Sequence, residues 1–206
     1  MADDLAAQVR LISDRQEIEH VLKLYCRAID RLDHELLKSI YHPEATDDHG
    51  SYSGNAHGFA DYIIPAMSES ITDGIHTVTH CTIDVEGDFA TSESYYWAYQ
   101  QTKGGYEHIK EFFGQTYADA QLKAGVVDSP HDYYCGGRYI DLFERRDGAW
   151  KILRRKITNE WNDIRPAQRI TAEGHVAVFN LPGRRDRRDP VYLNTIPVRV
   201  SETEAA

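Results

Sequence analysis

Residues 76–102, which read HTVTHCTIDVEGD and then FATSESYYWAYQQT, decide the fold class of this chain. Both runs alternate between polar and apolar side chains, and the turn formers Glu-Gly-Asp stand between them at 86–88. The pattern predicts an antiparallel hairpin of two long strands. Residues 133–161 repeat it around an Arg-Asp-Gly turn at 146–148, which predicts a second hairpin.

Helical periodicity precedes the strands. Ser13, with Gln16 three residues later, fits the capping box of a first helix. Apolar side chains then recur at helical spacing at Ile18, Val21, Leu22, Tyr25 and Ile29. Asp33 fits the N-cap of a second helix that ends before Pro43, and residues 59–70 predict a third. This order predicts an α+β domain, in which a curved antiparallel sheet and the helices on one face enclose a pocket.

Two segments depart from this plan. Residues 103–132 lie between the hairpins, and a segment of this length in a compact domain is usually functional or carries its own helix. Residues 162–206 lack clear periodicity and predict an arm that lies over the same domain or a neighbouring subunit. We therefore expect one domain, 1–161, with an insertion at 103–132 and a C-terminal arm at 162–206.

The composition limits the classes of partner. A net charge of −10 argues against nucleic acid, and the basic run GRRDRRD at 183–189 is short and interleaved with Asp. No apolar run approaches the roughly 20 residues of a membrane helix, and the acidic N-terminus does not resemble a signal peptide. The three cysteines form no C-x-x-C pair, so a reducing cytoplasm is the expected location.

Neither a metal nor an organic cofactor is expected. The cluster His42, Asp47, Asp48 and His49 lacks a recognised metal-ligand spacing, so a solvated turn is the stronger interpretation. The Gly-Gly pair at 136–137 precedes a strand rather than a helix, which does not fit a phosphate-binding loop.

Asp30 and His80 are the candidate acid–base residues. Asp30 falls at the negative end of the first helix, where a carboxylate is unfavourable, and an imidazole partner would explain its position. His80 opens a strand-like run, where a backbone carbonyl can equally satisfy a histidine. On simple alternation, His80 shares its side of the strand with Thr82 and Asp84.

Two further side chains carry alternative interpretations. Tyr25 lies on the apolar stripe of the first helix, where an aromatic residue is as often core as functional. Arg138 alternates with Ile140 and Leu142, so we expect it on the buried side of its strand. Its partner there is either a structural carboxylate such as Glu93 or a polar substrate group.

Aromatic residues predict an apolar interior. One face of a strand carries Tyr95, Trp97 and Tyr99. Tyr96 lies on the opposite face, and one of the two faces must line the interior. A candidate lid in the insertion consists of Phe112, Phe113 and Tyr117.

The stretches AIDRLDHELLKSIYHPEATDDHGSYSG (28–54), HTVTH (76–80) and GGRYIDLFERRDGAWKI (136–152) resemble the SnoaL-like branch of the nuclear-transport-factor-2-like superfamily. This branch includes scytalone dehydratase, a bile-acid dehydratase and hexachlorocyclohexane dehydrochlorinase. The resemblance covers roughly residues 10–161 and implies a cone-shaped α+β fold. The same fold hosts isomerases, dehydratases, cyclases and non-catalytic subunits.

The resemblance also implies a set of site residues. In those lyases an Asp at the end of the first helix bonds a His on the sheet, and Asp30 and His80 fall at the matching positions. Tyr25 matches a tyrosine near that Asp. Arg138 matches an arginine that enters the cavity. A further family tyrosine is replaced here by His49 or displaced to Tyr52. The predicted substrate contacts are His49, Tyr52, Tyr95, Trp97 and Phe112.

Together these features predict a cofactor-independent lyase. His80 takes a proton from carbon, and Asp30 fixes the tautomer of the imidazole. The leaving group departs with help from Tyr25, His49 or Arg138. The expected reaction is dehydration or dehydrohalogenation of a small hydrophobic substrate, aromatic or alicyclic, as in aromatic compound catabolism.

Three alternatives stay open at this point. They are C–C cleavage that releases a small aldehyde, double-bond isomerisation, and a role as the non-catalytic small subunit of an aromatic-ring dioxygenase. The resemblance also implies a homo-oligomer, and the arm favours a trimer over a dimer.

Overall fold

The computed structural model describes residues 2–170, 172–179 and 181–194. The helices are α1 (Ala2–Asp30), α2 (His34–Ser39), α3 (Ala56–Ser70), α4 (Tyr106–Phe113) and α5 (Gln115–Lys123). The strands are β1 (Tyr41–Asp48), β2 (Ser53–Asn55), β3 (Ile71–Glu86), β4 (Phe89–Thr102), β5 (His131–Arg146) and β6 (Ala149–Pro166). Within the predicted arm, residues 171, 180 and 195–206 fall outside the described residues.

The strands form one six-stranded sheet in the order β2-β1-β6-β5-β4-β3. Strands β3 to β6 are an antiparallel meander, and β1 pairs parallel with β6. Both predicted hairpins are confirmed, with their turns at 86–88 and 146–148. Asp147 and Gly148 have positive φ angles of 52° and 79°, as the tight second turn requires. The α+β class is therefore confirmed.

Local chemistry explains where the helices begin. Asp33 accepts a hydrogen bond from the backbone N–H of Leu36 at 3.2 Å, so the predicted N-cap of α2 is confirmed. Asn55 caps α3 in the same way. The predicted helix start at Ser13 is wrong, because the Ala, Leu and Gln residues before it continue α1. No helix of the described chain is both long and apolar enough to cross a membrane.

The sheet has an inner face that packs against α1 and α3 and an outer face that is largely exposed. In β4 the inner face is formed by Ala90, Ser92, Ser94, Tyr96 and Ala98. The largest buried apolar side chains around it include Ile18, Leu22, Tyr25, Phe59, Tyr139, Phe143 and Ile152. Any functional group that must be sheltered from water therefore lies on this inner face.

Candidate active site

Asp30 and His76 face each other on the inner side of the sheet, where α1 ends. Nδ1 of His76 lies 2.7 Å from Oδ1 of Asp30, and the backbone N–H of His76 donates to Oδ2 at 3.0 Å. The two side chains are only 9% and 8% exposed. A carboxylate can only accept, so the neutral imidazole carries its proton on Nδ1 and leaves Nε2 as the basic nitrogen.

Nε2 of His76 faces Gln100 on β4. The amide nitrogen of Gln100 lies 3.4 Å from Nε2. Ala98, which pairs in register with His76, precedes Gln100 on the same face of β4. At this distance the amide N–H of Gln100 can donate to Nε2, so the two side chains lie side by side on the inner face.

The predicted pairing of Asp30 with His80 is wrong, because the contact is made by His76. The reason is a β-bulge in β3 between Thr79 and Cys81. Before the bulge the even-numbered residues face inward, and after it the odd-numbered residues do. His80 occupies the bulge with φ 47° and is exposed, with Nδ1 3.2 Å from the hydroxyl of Thr79.

Aromatic side chains lie on the inner face on the far side of Gln100 from His76. Tyr133 on β5 pairs in register with Gln100 and shares its face. The rings of Phe112 and Phe113, from the insertion, lie 6.1 and 5.7 Å from the ring of Tyr133. Burial raises the pKa of Tyr133 to about 12, so its phenol stays protonated at neutral pH and can donate a hydrogen bond.

The insertion folds as two helices that return the chain to β5. Ile109, Ala118 and Val127 form a small core of its own. The hydroxyl of Tyr117 on α5 lies 2.9 Å from Nδ1 of His131, the first residue of β5. His131 is fully buried, and burial lowers its pKa. The insertion is therefore fastened to the strand that carries Tyr133.

Comparison with known proteins identifies the family. Residues 10–156 match the SnoaL-like domain. The chain belongs to the SnoaL-like domain family. No curated protein matches it.

Solved structures share the fold of this SnoaL-like domain. A hexachlorocyclohexane dehydrochlorinase, LinA type 2, gives a TM-score of 0.59 at 14% identity over 79% of this chain and 95% of that one. A candidate scytalone dehydratase from Novosphingobium aromaticivorans gives 0.56 at 16% identity over 84% and 100%. A nuclear-transport-factor-2-like superfamily protein from Salmonella enterica gives 0.55 at 17% identity over 80% and 99%. The superfamily predicted from the sequence is confirmed, and at these identities the likeness shows the fold alone.

Arg138 lies on the outer face of the SnoaL-like domain, so its predicted inward position is wrong. Its guanidinium donates to Glu93 at 2.7 Å and to Glu160 at 2.8 and 2.9 Å. The odd-numbered residues of β5 face inward, since Tyr139 pairs with Ser94. Of the two partners expected for Arg138, the structure contains the structural carboxylate Glu93.

Tyr95 and Trp97 also face outward, where they are 47% and 41% exposed. Tyr96 is the residue that points inward, and its ring stacks on Tyr139 at 4.7 Å. A cleft of about 750 Å³ lies on the outer face, between Trp97, Tyr134 and the arm. The structure therefore separates Tyr95 and Trp97 from the Asp30–His76 pair by the thickness of the sheet.

Tyr25 lies in a buried polar cluster. Its ring centroid is 5.3 Å from that of Tyr139 and 4.1 Å from the guanidinium of Arg155. Arg155 bonds Asp141 at 2.8 and 2.7 Å, and both side chains are fully buried. Burial raises the pKa of Tyr25 well above its usual value, so the phenol is neutral. These contacts place Tyr25 in the core around Arg155.

His49 and Tyr52 flank the turn between β1 and β2. Nδ1 of His49 is 3.1 Å from the carboxylate of Asp47, and its ring stacks on Phe59 at 4.6 Å. Tyr52 donates to the backbone carbonyl of Asn55 at 2.8 Å. Both side chains thus have partners within the fold. Among the residues that the structure describes, no group of three or more His, Cys, Asp or Glu side chains could hold a metal ion.

His76, Gln100 and Tyr133 are candidate site residues that sequence patterns alone did not predict. The motif HTVTH contains both His76 and His80, and strict alternation assigns them the same face. Tyr133 has one signal in the sequence, its position on the same strand face as Tyr139, but the apolar residues Ile140 and Leu142 predicted that this face points outward. For Gln100, which only register brings to His76, no such signal exists in the sequence.

Proposed function

We propose that the protein is a cofactor-independent lyase in which the Asp30–His76 pair removes a proton from a carbon atom of a small hydrophobic substrate. The observation that carries the proposal is the bond between Asp30 and Nδ1 of His76, which leaves Nε2 as a base on the sheltered face of the sheet. A histidine without a partner exchanges between its two tautomers. A histidine whose Nδ1–H is bound to a carboxylate keeps one tautomer, so Nε2 is its proton acceptor and points in a fixed direction.

The first step is proton transfer. Nε2 of His76 takes the proton, and the electron pair of the C–H bond moves to form the new double bond. The carboxylate of Asp30 stabilises the resulting imidazolium and does not itself become protonated. The leaving group departs from the neighbouring carbon with the electrons of its own bond. His76 then releases the proton, and the protein returns to its starting state.

The departing group needs a donor, and Tyr133 is the candidate that the inner face offers. Its phenol is protonated at neutral pH and lies on the same face as Gln100, the neighbour of Nε2. A hydrogen bond from this phenol would stabilise negative charge on a departing oxygen or halide. Tyr133 thus takes the role that the sequence offered to Tyr25, His49 or Arg138.

The chemistry limits the substrate. Positioned acid–base catalysis supplies roughly 10²–10⁴-fold in rate, which is too little for an unactivated C–H bond. The substrate must therefore carry a carbonyl or aromatic neighbour that acidifies the C–H bond or conjugates with the product. The rings of Phe112, Phe113 and Tyr133 suit a flat aromatic or alicyclic molecule. Dehydration and dehydrohalogenation both meet these requirements, in line with the names of two structural neighbours, a dehydrochlorinase and a candidate scytalone dehydratase.

The assembly that we propose is a homotrimer that works in the cytoplasm on compounds of aromatic catabolism. The support is the outer face of the sheet, where several large apolar side chains are exposed. These are Ile75, Phe89, Tyr95, Trp97, Ile140 and Trp161. An apolar patch of this kind usually marks a protein interface.

An ultraviolet scan against β-hydroxy and β-halo carbonyl and benzylic compounds tests the function. Wild type is compared with Asp30→Asn and His76→Ala, and His80→Ala is the matched control from the same motif. We expect new conjugated absorbance from wild type and His80→Ala, and a loss of at least about 10²-fold in the other two variants. Product mass then separates loss of water, hydrogen halide or aldehyde from isomerisation. Equal turnover by His76→Ala and wild type would overturn the proposal.

A further inference from the structure

The arm segment 184–192 lies on the junction between α1 and α2, residues 30–33. Asp189 bonds the side chain of Arg31 at 3.2 Å, and Arg31 also donates to the backbone carbonyl of Arg184 at 2.8 Å. Asp189 in turn accepts from the backbone N–H of Arg184 at 2.7 Å. The arm is therefore folded on itself where it meets the junction.

Two more arm residues hold Asp33. Arg187 donates to Oδ1 of Asp33 at 2.8 Å, and the hydroxyl of Tyr192 donates to Oδ2 at 2.7 Å. The ring of Tyr192 also lies under the guanidinium of Arg27, 5.1 Å away. Because Asp33 caps α2 through Oδ1, these contacts fix the start of α2 relative to α1.

Arg185 reaches deeper than its neighbours. Its Nη1 donates to the backbone carbonyl of Ile71 at 2.5 Å and lies 3.5 Å from that of Met67. Its Nε donates to the backbone carbonyl of Asp30 at 3.3 Å. One guanidinium thus joins the last residue of α1, the last turn of α3 and the first residue of β3, the strand that carries His76.

The charge of Arg185 also acts on Asp30. Burial lowers the pKa of Arg185 from its usual value, and the carboxylate of Asp30 opposes that shift. Nη2 of Arg185 has no hydrogen-bond partner among the described residues. The guanidinium therefore brings a positive charge beside Asp30 in a partly buried place, where charges interact more strongly than in water.

We propose that Arg185 is a positioning residue for the Asp30–His76 pair and that segment 184–192 is a strap that completes the site. The proposal rests on the proposed function for its catalytic meaning, although the geometry that it concerns exists without substrate. Arg185 fixes the spacing between the α1 terminus and β3, and this spacing sets the distance from Asp30 to His76. A purely structural cap on α1 and α3 would stabilise the fold without tuning that bond.

The test compares Arg185→Met and Arg185→Lys with wild type in the full chain. Arg188→Met is the control, because Arg188 is an exposed arginine of the same strap that bonds Asp186. The first readout is the proton resonance of the Nδ1–H of His76 in ¹⁵N-histidine-labelled protein without substrate, assigned by its loss in His76→Ala. The second is kcat and KM on a substrate found in the ultraviolet scan.

In Arg185→Met we expect the Nδ1–H resonance to move upfield or broaden and kcat to fall about 10²-fold, with a smaller change in KM. Arg185→Lys should recover part of both, and Arg188→Met should match wild type.

An unchanged resonance in a variant that is folded by circular dichroism would overturn the proposal, even if its Tm falls. If Arg185→Met does not fold, Arg185→Lys decides by the same resonance. If wild type turns over nothing, the proposed function fails while the resonance still decides the positioning role.

Discussion

The carboxylate of Asp30 holds His76 at two points, accepting one hydrogen bond from the imidazole and another from the backbone N–H of the same residue. The backbone bond fixes the strand against the end of α1. The side-chain bond fixes the ring. Oδ2 binds the backbone and Oδ1 binds the ring, so the position of the strand and the hydrogen bond of the imidazole can be tested separately.

Asp30→Asn is expected to keep the backbone contact and change the imidazole. The amide can accept through its oxygen, but it no longer stabilises an imidazolium. We predict a loss in kcat of about 10²–10⁴-fold with KM nearly unchanged, measured by steady-state kinetics. Asp61→Asn is the control, since Asp61 is an exposed carboxylate that bonds His34 and Lys38. A change in KM alone would show that Asp30 binds substrate instead of orienting the base.

His80→Gly is expected to stabilise the protein and leave activity intact. His80 has φ 47°, a left-handed conformation that a side chain makes unfavourable and that glycine adopts freely. The net gain in the free energy of unfolding should be about 0.5–1 kcal/mol, since glycine also loses more entropy on folding. Urea denaturation measures it. His80→Ala provides the comparison, and an equal gain there would argue against strain at the bulge.

The same bulge explains why the fold was predictable and the site was not. The two hairpins follow from alternation and turn residues, which are local properties of the sequence. The face on which His76 or His80 points depends on where one extra residue interrupts β3. Neither glycine nor proline marks that position in HTVTHCT. A one-residue shift exchanges the two faces of a strand, so His80, which was predicted to face Asp30, is exposed instead.

Arg138 and the aromatic residues of β4 show the same limit. Alternation correctly separated Tyr96 from Tyr95 and Trp97, but it could not say which set faces inward. On β5 the apolar residues Ile140 and Leu142 suggested that Arg138 pointed into the core. In fact the inner face at that level holds Tyr139 together with the fully buried ion pair of Arg155 and Asp141. Because the outer face also exposes large apolar side chains such as Ile140, the apolar pattern of β5 does not show which face is buried.

Tyr133→Phe is expected to slow the chemical step. It removes the hydroxyl and keeps the ring against Phe112 and Phe113, so binding should change little. We predict a loss in kcat of about 10²-fold, the usual effect of removing one donor from developing negative charge.

Because the pKa of Tyr133 is about 12, the donor is present at all lower pH values. Deprotonation of Tyr133 should therefore contribute no decline in the wild-type rate up to about pH 10. A decline below that pH in wild type that is absent in Tyr133→Phe would contradict this account.

Asp141→Asn is expected to destabilise the fold strongly. The variant leaves the charge of Arg155 buried without its counterion, between the rings of Tyr25 and Tyr139. Breaking a buried pair in this way costs about 3–5 kcal/mol in the free energy of unfolding. Chemical denaturation measures the loss.

The double variant Asp141→Leu with Arg155→Met should recover most of this stability, because no unpaired charge remains. A loss as large in the double variant would mean that the pair itself, rather than the orphaned charge, sustains the core.

The stability of the insertion should depend on pH through His131. Burial holds the pKa of His131 below its usual value of 6.5, whereas the unfolded chain titrates near that value. As the pH falls, the unfolded state therefore binds the proton first, so stability is full above about 6.5 and declines below it. Protonation of Nδ1 also removes the acceptor that faces the hydroxyl of Tyr117.

We expect the Tm of wild type to fall between pH 7.5 and 5.5, and hydrogen exchange of α5 to rise with it. His131→Phe should flatten this part of the profile, while His80→Ala, which alters an exposed histidine, should not. An equal slope in His131→Phe and wild type would assign the pH dependence to other groups.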